Sequence, residues 1–281
     1  MNAPLQDYSA EALALRAHRL LAQVRVQKPL VQNITNFVSM DVVANVLLAI
    51  GAAPAMVHAV EEAAEFAALA SALVINVGTL SPPWLEGMRA ATAVAGAKNM
   101  PWVLDPVGAG ATSYRNGALA SLLALRPSII RGNASEILAL AHISGLTRSA
   151  ARPRGVDSLH GTDEAEAMAM ALARHQGCVV AATGAVDIVT DGLQLVRLGN
   201  GHGLMTQVTA LGCALSATIG AFAAVTPDRL EAAVAAIAIY GVAGELAAVG
   251  SQGPGSFRVA FLDSLHGLEL HMLIRRLRVL T

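Results

Sequence analysis

Charge is scarce in this 281-residue chain: Asp, Glu, Lys and Arg make up 14% of it, against 54% hydrophobic residues, and the formal net charge is −1. That balance supplies no basic surface for a phosphodiester backbone, so nucleic acid is not an expected partner. So little charge also means that the helices must be covered on several sides, by a second helical layer or by neighbouring subunits. Cysteine occurs only at Cys178 and Cys213, without CxxC spacing. This excludes a disulfide framework and a zinc site, and fits a reducing cytoplasm. The eight histidines show no metal-ligand spacing. Neither GxxxxGK[ST] nor GxSxG occurs, which excludes a P-loop enzyme and a nucleophile-elbow hydrolase. Residues 1–27 carry Asp7, Glu11, Arg16, Arg19 and Arg25 and lack the unbroken apolar core of a signal peptide. The later apolar runs are broken by Gly and Pro or bounded by Glu231 and Glu245, and fall short of the ~20 residues of a membrane span. A soluble, cytoplasmic protein with no membrane partner is expected.

What the chain does contain is alternation. Short strand-like runs at 30–36, 54–57, 73–77, 102–105, 128–131 and 178–183 are separated by helical stretches. The continuous apolar runs at 73–77 and 102–105 suit strands buried on both faces. Asn36 or Ser39 is expected to cap a helix to residue 50, Ser81 with Pro82 opens another, and Asn133 starts one that carries Glu136. Runs 186–190 and 193–197 around Asp191-Gly192 spell an antiparallel hairpin. Residues 147–161 read as a surface connection, and 213–225, 228–249 and 257–277 as helices. The expected fold is α/β: a three-layer sandwich with a mainly parallel central sheet and helices on both faces, in one domain across 1–281.

The stretch that organises the rest is Val208-Thr209-Ala210-Leu211-Gly212-Cys213-Ala214-Leu215-Ser216, entered from the turn-rich Gly199-Asn200-Gly201-His202-Gly203. It reads as a loop feeding the first turn of a buried helix. Unpaired N–H groups and a partial positive charge make such a start a cradle for phosphate. The same field is expected to lower the pKa of the Cys213 thiol, although a cysteine opening an apolar helix is commonly a small core residue. In an open parallel sheet ligands bind beyond the carboxyl ends of the strands, and Asn36, Asp105, Arg131, Asn133 and Thr183 all fall there. Asp105 and Glu136 offer oxygen to magnesium. Arg131 suits a phosphate. Each also has a plainer reading: a turn at Asp105-Pro106, a solvated first-turn carboxylate at Glu136, a surface ion pair at Arg131, a turn cap at Thr183. His202 reads as a loop histidine rather than a catalyst.

Taken together and in order, Asn33-Ile34-Thr35-Asn36, Leu104-Asp105-Pro106-Val107-Gly108-Ala109-Gly110-Ala111, Ile130-Arg131-Gly132-Asn133-Ala134-Ser135-Glu136, Thr183-Gly184-Ala185-Val186-Asp187, Asn200-Gly201-His202 and Gly253-Pro254-Gly255-Ser256-Phe257 resemble the hydroxyethylthiazole kinase family, thiamine-salvage enzymes of the ribokinase-like superfamily. The resemblance runs from Val31 to about Leu265. It implies transfer of the ATP γ-phosphoryl group to 4-methyl-5-(2-hydroxyethyl)thiazole with Mg2+ as cofactor, in a homotrimer with sites between subunits. By position it implies that Asn36, Val38, Met56 and Ala210 line the acceptor pocket. Arg131, Thr183 and Gly212 would hold ATP, Asp105 and Glu136 would serve magnesium, and Cys213 would stand as catalytic base. The family reads Val-Thr-Gly-x-Gly-Cys where this chain has Ala210-Leu211-Gly212-Cys213. A positive φ at Ala210 would cost about 1–2 kcal/mol, and Leu211 adds bulk beside the cradle. Two alternatives stay open on that account: a kinase of another small hydroxyalkyl heterocycle, and a nucleotide-binding protein without turnover.

Overall fold

The computed structural model describes residues 8–147 and 159–280, with side chains for 8–147 and 164–280. The surface connection expected at 147–161 lies almost wholly outside the described residues. The strands are β1 (Leu30–Ile34), β2 (Ala53–Ala55), β3 (Ala72–Asn76), β4 (Trp102–Asp105), β5 (Ile129–Asn133), β6 (Val179–Thr183), β7 (Asp187–Thr190), β8 (Leu195–Leu198) and β9 (Val279–Leu280). They form one sheet in the order β2-β1-β3-β4-β5-β6-β7-β8-β9. Pairings from β2 through β6 are parallel, and β7, β8 and β9 add on antiparallel.

The helices are α1 (Ala10–Gln27), α2 (Met40–Ile50), α3 (Val60–Ala67), α4 (Pro82–Ala97), α5 (Ser113–Leu123), α6 (Ala134–Ile143), α7 (Leu159–Gln176), α8 (Leu211–Val225), α9 (Arg229–Ala248), α10 (Pro254–His266) and α11 (Leu270–Arg276). Strand alternation divides the core into two layers. Val31, Val74, Val103 and Ile129 pack on one face with α1, α2 and α8 to α11. Leu73, Ile75, Leu104 and Ile130 pack on the other with α3 to α7. Every residue of β3 and β4 is buried, as parallel strands between helical layers require. The three-layer α/β expectation holds. Helix α8 lies close on the sheet: a β-carbon at Gly220 would meet Val74 Cγ2 at 2.8 Å.

Three local expectations are corrected, and one short strand is added. The hairpin connection is residues 191–194, since Thr190 pairs with Leu195; the Asp191 carboxylate accepts from the Leu193 and Gln194 N–H groups at 2.8 and 2.7 Å and shapes the longer loop. The last helical run breaks between His266 and Leu270, where Leu268 turns into the core. Strand β9 is too short to show an alternating pattern. Finally, α9 is long and apolar enough to cross a membrane by length and composition, with mean hydropathy 1.6 over its most apolar 18 residues, but 89% of those are buried inside the fold. A helix apolar all round is what a doubly covered core position demands.

Candidate active site

Parallel strands bring their carboxyl ends to one edge, and the polar residues of the chain gather there. Asp105 closes β4, because Pro106 cannot extend the strand, and its carboxylate is fully buried. Asn76 ends β3 directly opposite it in register. The Asn76 Nδ2 donates to Asp105 Oδ2 at 2.7 Å, and Ser216 Oγ of α8 donates to the same oxygen at 2.9 Å. Asn36 Nδ2 donates to Asn76 Oδ1 at 2.9 Å and lies 3.4 Å from the Cys213 sulfur. A relay of amides therefore runs from the thiol to the carboxylate. Asp105 Oδ1 is buried with no hydrogen-bond partner among the described residues. Burial raises the Asp105 pKa to about 6; Glu136 adds to the rise, while Arg131 and the two donors oppose it.

Cys213 sits in the first turn of α8, as expected, but its titration is the reverse of the expectation. Burial pushes the thiol up to about 11 and the neighbouring Asp105 charge pushes the same way, against Asn36, Asn76 and Arg131. A helix start stabilises a thiolate only locally, and desolvation at this depth outweighs it. The resting group is a neutral thiol. Ala210, the residue before α8, has φ 67° and ψ 3°, so a non-glycine side chain is held in the left-handed region there. Leu211 is buried against the core and lines the same cavity as Gly212, beside the cradle as expected, and its carbonyl accepts from the Tyr240 hydroxyl at 2.7 Å.

The end of the sheet edge at β5 and β6 is more open. Arg131 of β5 donates from Nη2 to Thr183 Oγ1 of β6 at 2.6 Å, while its buried Nε has no partner among the described residues. Gly212 makes room for the guanidinium: a β-carbon there would stand 2.8 Å from Arg131 Nη1. These residues line a cavity of about 740 Å³ that continues past Asp187 to Leu215, Ile237 and Tyr240. Burial raises Asp187 to about 6, opposed by the Gly184 N–H and by Arg131. His202 lines the same cavity but accepts from the Leu204 N–H at 3.2 Å, capping the short 3-10 helix Gly203–Gln207, in keeping with a loop histidine.

Asn36, Asp105, Arg131, Thr183, Gly212 and Cys213 are thus brought together. Glu136 is engaged as a cap: one oxygen accepts from the Asn133 N–H at 2.9 Å and the other from the Gly108 N–H at 3.0 Å. Val38 is 59% exposed. Met56 packs half-buried against the apolar cluster that also receives Ala210 and Cys213. Neither Val38 nor Met56 lines the cavity.

Residues 21–271 match the model of the hydroxyethylthiazole kinase family. The chain belongs to that family. The hydroxyethylthiazole kinase of Cereibacter sphaeroides is 57% identical over 259 residues, covering 92% of this chain and 96% of the relative. That of Rhizobium leguminosarum bv. trifolii is 54% identical over 261 residues, covering 92% and 96%. The solved structure of the hydroxyethylthiazole kinase from Pyrococcus horikoshii OT3 superposes with a TM-score of 0.86 at 41% identity, covering 94% of this chain and 97% of that one. The Staphylococcus aureus pyridoxal kinase shares the fold alone, at TM-score 0.53 and 17% identity.

Within this member of the hydroxyethylthiazole kinase family, Asn76, Ser216, Tyr240 and Asp187 are site residues that sequence reasoning passed over. Asn76 left one signal: it is the lone amide closing an apolar strand run. Ser216 is three residues past Cys213 and so on the same helix face.

Proposed function

We propose that this kinase transfers the γ-phosphoryl group of ATP to the primary hydroxyl of 4-methyl-5-(2-hydroxyethyl)thiazole, through one ribokinase-like domain spanning residues 1–281. The observation that carries the reading is the meeting of the α8 start with the sheet edge: Gly212 against the Arg131 guanidinium, and Cys213 within 3.4 Å of the amide relay that ends on Asp105. The hydroxyl oxygen attacks the γ-phosphorus while the bond to the β,γ-bridging oxygen breaks and ADP leaves. Such a transfer depends on alignment and on stabilising charge over the equatorial oxygens. Arg131 and the N–H groups of the α8 start supply that stabilisation. Thr183 fixes the guanidinium, and Tyr240 fixes the first carbonyl of α8.

A single base need not act early, because the hydroxyl proton leaves late in a loose transition state. Cys213 takes that proton when its sulfur is ionised, and Asn36 and Arg131 favour the charged form. For a divalent cation the donor set fits: the unpartnered Asp105 oxygen and the Glu136 carboxylate are hard ligands, of the number magnesium uses beside substrate phosphates. Mg2+ held there would neutralise charge on the transferring phosphate. The acceptor wall beyond Asn36 is open to solvent, with Phe37 67% and Val38 59% exposed. A neighbouring subunit of a homotrimer closing over Phe37 and Val38 would complete it, with Asn36, Val38, Met56 and Ala210 around the thiazole. The cytoplasm is the compartment that fits two unpaired cysteines.

The test is ADP release by purified protein given ATP, magnesium and the thiazole alcohol, beside a panel of other hydroxyalkyl heterocycles. Turnover highest with the thiazole alcohol supports the reading. Preference for another acceptor redirects it, and ADP formed with none of them sinks it.

A further inference from the structure

The loops that leave β3 and β4 carry the relay and the carboxylate cap, and both are held from behind by one side chain outside the cavity. Arg115 lies in the first turn of α5, its backbone N–H bonded to the Thr112 cap at 3.2 Å. Its Nη1 donates to the Val77 carbonyl and, at 2.8 Å, to the Val107 carbonyl; its Nη2 donates to the Gly78 carbonyl at 3.3 Å. Among the described residues Arg115 forms no ion pair, so its charge is balanced by carbonyl dipoles.

Each loop leads straight to the site. The Gly78 N–H donates to Asn76 Oδ1 at 2.9 Å, on the amide that holds Asp105. The Gly108 N–H donates to Glu136 Oε1 at 3.0 Å, and Asn116, also on α5, accepts from the Gly110 N–H at 2.9 Å. Resting on the kinase reading above, we propose that Arg115 is a positioning residue: it clamps the β3 and β4 exit loops together and so fixes the spacing of Asp105 from Glu136. A guanidinium suits the task because its planar fork reaches several acceptors at fixed angles, which an ammonium does not. It does not line the cavity.

The experiment compares the parent with Arg115→Lys and Arg115→Ala in the full-length protein. Backbone hydrogen exchange is followed together with steady-state kinetics and thermal melting. In Arg115→Ala, exchange at the Gly78, Gly108 and Gly110 amides should rise by about tenfold or more while the β3 and β4 amides hold, as for a local opening. The kcat should fall by about thirtyfold with the ATP KM within about twofold, the pattern of an interaction that matters in the transition state. Millimolar guanidinium should restore part of the Ala variant's rate, and lysine should not substitute. Unchanged exchange at the three glycines overturns the clamp whether or not the protein turns over. So does a rate loss that follows the folded fraction and resists guanidinium. A parent inactive on every acceptor fails the kinase reading alone, since the exchange result still decides the clamp.

Discussion

At one end of the candidate site the polar side chains bond one another; at the other an arginine nitrogen is left over. Asn36, Asn76, Ser216 and Asp105 form a relay of side chains, all of them buried, in which only Asp105 Oδ1 is without a partner among the described residues. Arg131, by contrast, spends one nitrogen on Thr183 and keeps another unpartnered beside a cavity of about 740 Å³. On the proposed reading, the relay end is shaped before the acceptor arrives, and the Arg131 end is completed by the phosphates of ATP. Side chains make the first and backbone makes much of the second. Single substitutions should therefore act very differently at the two ends.

The largest effect is expected at Asp105→Asn, which keeps the shape of the relay and removes the charge at its end. The kcat should fall by about 10³-fold, near the upper range for a lost electrostatic stabiliser. Melting should show no loss of stability, because a buried carboxylate with an unpaired oxygen is costly to hold. A variant that melts early and keeps its rate would mean the relay is structural. At the other end Arg131→Met should lower kcat/KM for ATP by about 100-fold, with binding of the thiazole alcohol, measured by calorimetry, unchanged. Loss of thiazole binding there would erase the distinction between the ends.

Cys213→Ser should lower kcat by roughly 10- to 100-fold, at or below the usual share of a positioned base. The pH profile is the sharper readout. Because the thiol titrates near 11, the ionised sulfur is a small fraction at neutral pH and grows as pH rises. Above the range where Asp105 ionises, near 6, the parent's rate should climb between pH 8 and 10 and the serine variant's should stay flat over that range; parallel profiles there would remove the proton-accepting role. The smallest effect is expected at Ala210→Gly. Relief of a left-handed alanine is worth about 1–2 kcal/mol, and the greater freedom of glycine in the unfolded chain returns about 0.4–1 kcal/mol. A melting midpoint raised by a few degrees, with kcat unchanged, would show that the strain has no part in the chemistry. A lowered midpoint would mean that residue 210 is relaxed as alanine.

Much of this was legible because the signals are local. Trp102 to Asp105 reads as a buried strand from its apolar run and the proline after it, and β4 has those bounds. Ser81 with Pro82 opens α4, and its hydroxyl does accept from the Trp84 N–H. Asn133 and Glu136 were legible as a helix start, and they form a capping box. What escaped depends on tertiary neighbours. Asn76 matters because register sets it opposite Asp105, which no pattern within β3 reveals. The Cys213 thiol was misjudged because the helix field is readable in sequence and the depth of burial is not. Arg115 resembles any solvated first-turn residue until the two loops behind it are seen to converge on its fork.

The far rim of the cavity is tied to the end of the chain. Asn200, which lines that cavity, donates to the Arg276 carbonyl at 2.8 Å and accepts from the Arg278 N–H at 2.8 Å. These contacts join positions 76 and 78 apart in sequence, so the rim is complete only when the segment carrying Arg276 and Arg278 has docked. That segment also supplies β9, which extends the sheet beyond β8. On the proposed reading, nucleotide bound at this rim would favour the docked segment by mass action, as a latch on the end of the chain.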